Sequence, residues 1–127
     1  MSKLIEITIP IRAVSSNQPY AGVHWATRQK WVNEFKQSVR VALPDALVQG
    51  DGWPVQRVDF CVDAYFASRP QDSDNIGFAT KMIIDALKGW VMPDDDISHV
   101  RRVCMESHSG PRNEIIVTAT EVKPPAR

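Results

Sequence analysis

A chain of 127 residues with 43% hydrophobic and 24% charged side chains can bury one core and needs no disulfide staples. Its fifteen basic and fifteen acidic residues balance, so it lacks the strongly basic character that by itself marks a nucleic-acid binder. No apolar run approaches the ~20 residues that span a bilayer, so no membrane partner is expected.

The N-terminal segment Ser2-Lys3-Leu4-Ile5-Glu6-Ile7-Thr8-Ile9 lacks the apolar block of a signal peptide. The only cysteines, Cys61 and Cys104, lie in strand-like segments and form no disulfide framework. A reducing, cytoplasmic setting is therefore expected.

Leu4 to Ile9 sets Ile5, Ile7 and Ile9 against Leu4, Glu6 and Thr8, the alternation of a half-buried strand, and Pro10 closes it. Residues 12–26 have no clear period and contain Ser15-Ser16-Asn17-Gln18-Pro19 and Tyr20-Ala21-Gly22, which read as a long loop. Thr27 is placed to N-cap a helix running to about Leu43, with Trp31, Val32, Phe35, Val39 and Leu43 as its apolar stripe. Pro44 and the cluster Gly50-Asp51-Gly52-Trp53-Pro54 end that segment.

Alternation returns from Arg57 to Phe66, with Val58, Phe60, Val62, Ala64 and Phe66 on one face and Asp59, Cys61, Asp63 and Tyr65 on the other. From about Asn75 to Lys88 the period becomes helical and Ile76, Ala79, Ile83, Ala86 and Leu87 share a side. Gly89 suits the C-terminal cap, with Pro93 beyond it. Two more strands fit His99 to Ser107 and Glu114 to Val122, joined by a turn containing Ser109-Gly110-Pro111. The segment 123–127 reads as a disordered tail. The expected architecture is a single α+β domain over residues 1–122, in the order β-α-β-α-β-β, with a mixed sheet packed against helices.

Six of the fifteen acids fall between residues 72 and 96: Asp72, Asp74, Asp85, Asp94, Asp95 and Asp96. Carboxylates this close repel one another unless a cation sits among them. The other nine acids face fifteen bases, a balance of +6 that suits a polyanion once metal neutralises the cluster.

Asp72 and Asp74 stand two apart where a strand gives way to a helix. In extended chain that spacing is roughly 6.5–7 Å on one side, enough to flank a hard cation. Asp74 or Asn75 also suits a helix N-cap. An EF-hand reading fails, because Ile76 and Ile83 occupy positions that need oxygen ligands. Asp74, Lys81 and Asp85 fall roughly on one helical face. There Lys81 can stabilise charge on a phosphate or simply pair with Asp85, a contact worth about 0.3–0.5 kcal/mol.

Taken together, three separated pieces in order resemble the RusA family of Holliday junction resolvases. They are Arg69-Pro70-Gln71-Asp72-Ser73-Asp74-Asn75, then Lys81-Met82-Ile83-Ile84-Asp85-Ala86-Leu87-Lys88-Gly89, then Pro93-Asp94-Asp95-Asp96. The resemblance implies a RusA-like fold and a small homodimeric endonuclease, bacterial or phage-encoded. It would bind four-way junction DNA and cut two opposing strands symmetrically with Mg²⁺, for which Mn²⁺ can substitute, and without a nucleotide cofactor.

Carried over residue by residue, Asp72, Asp74 and Asp95 would be the metal-binding carboxylates and Lys81 the catalytic lysine. Asp94 and Asp96 stay open as alternatives for the third ligand. The chain departs from the family pattern by placing Lys81 six residues after Asn75, where about three is usual; either this moves it about one turn along the same helical face, or the extra residues lie in the loop before the helix, which Gly77 would permit. It also has Arg12-Ala13-Val14-Ser15-Ser16 where the family has a Pro-rich turn.

Arg12, Lys36, Arg40, Arg69, Arg101 and Arg102 are the main candidates for phosphate contacts, with Arg28 and Lys30 beside them. Trp25, Trp31, Trp53 and Trp90 suit a core or a dimer interface. His24, His99 and His108 show no zinc spacing and are expected at the surface or as minor DNA contacts. Three rival readings stay open: a catalytically weakened module that binds branched DNA, a nuclease preferring flaps or forks, and a metal-binding scaffold with no nucleic-acid partner, to which only the neutral net charge points.

Overall fold

Each segment of period-two alternation forms a strand. β1 (Leu4–Ile9), β2 (Val58–Phe66), β3 (Val100–Ser109) and β4 (Glu114–Glu121) make one four-stranded sheet. The helices are α1 (Trp25–Ala42), the short α2 (Asp45–Val48) and α3 (Gly77–Leu87), which is entered through a 3-10 turn at Ser73–Ile76. The structure is a computed structural model that describes residues 3–14, 25–70 and 73–123, without the side chains of residues 73 and 74. Residues 15–24 of the expected 12–26 loop and residues 124–127 of the expected tail lie outside the described residues, as does Asp72, while residues 25 and 26 already belong to α1.

Strand order is β1-β4-β2-β3. β4 runs antiparallel to both β1 and β2, whereas β2 and β3 are parallel. A parallel pair needs a crossover, and here the 3-10 turn and α3 supply it between the end of β2 and the start of β3. β3 and β4 are consecutive in sequence but are not neighbours, because β2 lies between them. The sheet is therefore mixed, as expected.

The alternating residues put one face of the sheet into the core. Ile7, Ile9, Val58, Phe60, Val62, Phe66, Ile115 and Val117 are almost fully buried, together with Phe35 and Val39 of α1. α3 buries its expected positions Ala79, Ile83 and Leu87, and also Phe78, Met82 and Ile84, so it is enclosed on more than one stripe. The opposite face of the sheet carries Glu6, Thr8, Asp59, Cys61, Asp63, Glu106 and Thr118, all exposed or half-buried. Among the described residues, no helix is long and apolar enough to cross a membrane.

Three local expectations need correction. α1 begins at Trp25, so Thr27 lies inside its first turn and does not cap it. Pro44 ends α1 as expected but also opens α2, for which it is the N-cap residue with extended ψ. The N-cap position of α3 belongs to Ile76, with no side-chain capping bond, because the 3-10 turn occupies the residues where Asp74 or Asn75 was expected to cap.

Gly89 does close α3, with φ of 87° and its N–H donating to the Met92 carbonyl at 2.7 Å. A Cβ at Gly89 would meet nothing within 4 Å, so only backbone conformation opposes a side chain there. Gly89→Ala is expected to cost about 1–2 kcal/mol in urea denaturation. An unchanged midpoint would mean the turn relaxes freely, and with it the placement of the acidic run that follows.

Candidate functional site

The chain leaving α3 delivers three consecutive acids, and each has a different job. The Asp96 carboxylate accepts bonds from the Ser98 hydroxyl at 2.6 Å and the Ser98 N–H at 3.1 Å. Its carbonyl accepts the N–H groups of His99 and Val100, so Asp96 builds the turn that launches β3. The Asp94 carboxylate accepts the N–H of Asp95 at 2.8 Å and lies 3.9 Å from Lys88 Nζ. Asp95 reaches α3, where its side chain shares a hydrogen bond with Asp85.

That carboxyl pair is electrostatically asymmetric. Burial pushes Asp85 above its usual value, and the Asp95 hydrogen bond adds to this, against the pull of Lys81 and Lys88. Asp95 is held below its usual value, first by the Asp85 hydrogen bond and then by Asp94 and Lys88. The pair therefore favours a proton on Asp85 over one on Asp95. Lys81 Nζ lies 3.7 Å from Asp85 Oδ2 across one helical turn, on a side chain 70% exposed and therefore able to swing toward an external anion.

The raised Asp85 predicts a sign for the pH dependence of stability. The folded state holds a proton that the unfolded state releases near the ordinary carboxylate value of 3.8, so this group makes stability fall as pH rises from there through its folded value. In EDTA, Asp85→Asn is expected to remove this contribution, so that melting temperature declines less steeply, or rises more, in the variant than in the wild type as pH increases above 3.8. Calorimetry showing equal slopes in the two proteins would contradict the raised Asp85.

Two hollows flank the pair. One, of about 310 Å³, lies between α3 and β3 and is lined by Gly77, Thr80, Lys81, Asp95, Val103 and Met105 among others. The hydroxyl of Thr80 is buried there without a hydrogen-bond partner. The other, of about 420 Å³, lies between α1 and α3, and Arg28, Lys36, Lys81 and Lys88 surround Asp85 and Phe78 in it. Lys81 lines both, and Arg40 joins Lys36 and Lys88 in an adjoining hollow.

The residues singled out from sequence are thus brought together in part. Asp95 and Lys81 line one hollow, Lys81 and Lys36 the next, and Lys36 and Arg40 a third. The main chain of Asp74 lies in the 3-10 turn that runs directly into Gly77, at the edge of the Asp95 hollow. Asp72 and the side chain of Asp74 lie outside the described residues.

Arg69 and Arg102 are exposed. Two others of the proposed phosphate contacts, Arg101 and Arg12, also have partners within the protein. The Arg101 guanidinium makes two hydrogen bonds to the Asp59 carboxylate, and Arg12 lies 4.8 Å over the Phe66 ring and donates to Asn113 Oδ1. Of the tryptophans, Trp53 is buried, Trp31 and Trp90 are half-buried, and Trp25 is exposed rather than in the core.

A second cluster sits on the other face of the sheet. In the parallel β2–β3 register Asp63 stands opposite Glu106, Tyr65 opposite His108 and Cys61 opposite Cys104. His108 Nε2 lies 2.8 Å from Asp63 Oδ1 and 3.5 Å from Glu106 Oε2. Ligand atoms of these three residues lie within 4.8 Å of one another, so the group could hold a metal ion.

Spacing within one segment does not reveal this cluster. The signal is the alternation Cys61-x-Asp63 on β2 matched by Cys104-x-Glu106-x-His108 on β3, which becomes a site only when the two strands are aligned. Cys61 and Cys104 are both free and exposed. Partial burial, then the hydrogen bond with Cys104, pushes the Cys61 thiol up.

No protein-family model matches the chain, and comparison with curated proteins finds no match.

Proposed function

We propose that the chain is a Mg²⁺-dependent structure-specific endodeoxyribonuclease that resolves four-way DNA junctions by paired, symmetric phosphodiester hydrolysis. The observation that carries this reading is the Asp85–Asp95 carboxyl pair set against a cleft bordered by Arg28, Lys36, Lys81 and Lys88. Acids grouped to take a cation, beside bases spaced to take a polyanion, suit a phosphodiester substrate better than either feature would alone. The motif resemblance supplies the choice of branched DNA and of a homodimer, whose two-fold axis would match a junction with two equivalent strands to cut.

The donors fit Mg²⁺, which prefers hard oxygen ligands: Asp95 offers a carboxylate beside Asp85, and Asp72 and Asp74 are expected to add two more. Bound there, Mg²⁺ would supply Lewis-acid stabilisation of the scissile phosphate and a more acidic water. Asp95 stays ionised and so holds negative charge at the point where a cation is needed. Asp85, whose burial favours its protonated form and so eases repulsion, orients Asp95 through their hydrogen bond. Lys81 moves between Asp85 and the substrate, offering an ammonium to charge that builds up on phosphate oxygens. Arg28, Lys36, Arg40 and Lys88 bind and orient the DNA backbone.

The test offers a synthetic four-way junction, a flap, a fork and a linear duplex side by side, with Mg²⁺ or with EDTA. Paired nicks at symmetric positions in the junction, absent in EDTA, are the expected outcome. Junction binding without cleavage would favour the weakened binding module, and preferential cutting of flap or fork would reassign the substrate.

A further inference from the structure

We propose that the solvent-facing side of the sheet carries a second metal site, formed by Asp63, Glu106 and His108, that takes a borderline transition-metal dication of the Zn²⁺ class rather than Mg²⁺.

Geometry comes first. His108 Nε2 approaches two carboxylates at once, Asp63 Oδ1 at 2.8 Å and Glu106 Oε2 at 3.5 Å, and a single N–H cannot satisfy both well. Asp63 and Glu106 are directly paired across β2 and β3, where like charges disfavour the sheet. A dication among the three atoms would replace the imidazole proton, bridge the two acids and remove that repulsion. The cluster is also supported from behind: the Tyr65 ring stacks on His108 at 4.7 Å with 21° between planes. Gly110 makes room for that stack, since a Cβ there would stand 3.3 Å from Tyr65 Cδ1.

The donor set selects the ion. An imidazole nitrogen with two carboxylate oxygens suits Zn²⁺ and its neighbours, whereas Mg²⁺ takes all-oxygen surroundings and dehydrates reluctantly. Three protein donors leave a tetrahedral ion one position for water or an outside ligand. The paired thiols of Cys61 and Cys104 line a shallow hollow of about 130 Å³ together with Asp63 and Glu106, which places soft donors next to the site without making them part of the set.

This site is independent of the one proposed for DNA cleavage. Strand alternation turns Asp63, Glu106 and His108 away from the core, whereas Val103 and Met105 face the hollow that Asp95 lines.

The test is isothermal titration of the EDTA-stripped full chain with ZnCl₂ in excess Mg²⁺. The wild type is expected to retain one tight Zn²⁺. His108→Ala and Glu106→Gln are each expected to weaken it by at least about 10-fold. Asp95→Asn and the double variant Cys61→Ser/Cys104→Ser should leave it unchanged. Glu106 is exposed and His108 half-buried, and circular dichroism checks the fold of both variants. Unaltered Zn²⁺ affinity in His108→Ala and Glu106→Gln, loss that follows the cysteines or Asp95 instead, or complete displacement by Mg²⁺ would each overturn the proposal. Loss of DNA cleavage in Asp95→Asn bears on the nuclease reading alone.

Discussion

Asp95→Asn is expected to reduce junction cleavage by at least about 10²–10³-fold, the scale at which loss of one charge-stabilising group registers in a rate. Binding of the junction in Ca²⁺ should persist, because the bases that grip the backbone are untouched. Asp95 is the acid of its run that reaches α3, and the hydrogen bond from Asp85 keeps it ionised. An asparagine amide can still bond to Asp85, so the turn should hold while the negative charge is lost. Single-turnover cleavage and gel shifts on the same preparation separate the two effects. Wild-type cutting by the variant would remove Asp95 from the reaction. Loss of binding in parallel with cutting would indicate a collapsed loop.

Phe60→Ala should have the largest effect on stability, about 3–5 kcal/mol. Phe60 is fully buried on β2, the strand hydrogen-bonded to β4 on one side and β3 on the other. Its removal opens a cavity in the core at the middle of the sheet. Against the 5–15 kcal/mol of total stability usual for a domain, such a loss leaves little margin. Urea denaturation checks it. A cost below about 1 kcal/mol, the scale of a tolerated core swap, would mean that the core repacks around the gap or that β2 is not central.

Much of the fold is legible in the sequence because burial on one face imprints a period. The isoleucines of β1, the alternation of β2 and the stripe along α3 each set an element type, and Gly89 marks its end. Pairing is not written that way. β4 lies between β1 and β2, and β3 pairs only with β2, a choice made by the crossover through α3 and not by any local run. Helix starts were displaced for a related reason: Thr27 and Asn75 have capping chemistry, but α1 begins two residues earlier and a 3-10 turn precedes α3.

The candidate site divides along the same line. Asp94, Asp95 and Asp96 are chemically equal in sequence. They become distinct only when Lys88 takes the first, Ser98 the last and Asp85 the middle one. Asp85 is visible in sequence as a partner of Lys81 one turn away, but its link to Asp95 depends on where the loop after Gly89 returns. Asp63, Glu106 and His108 lie more than forty positions apart between the first and the other two, so no spacing rule could join them before the β2–β3 register was known.

The central claim is that carboxylates of Asp72, Asp74 and Asp95 converge on one hard cation beside Asp85. Crystals soaked in Mn²⁺ and read by anomalous scattering test it most directly. The expected result is a peak about 2.0–2.2 Å from an Asp95 oxygen and from an oxygen of Asp72 or Asp74. Asp95 directed away from residues 72–74, with no ion between them, would contradict it.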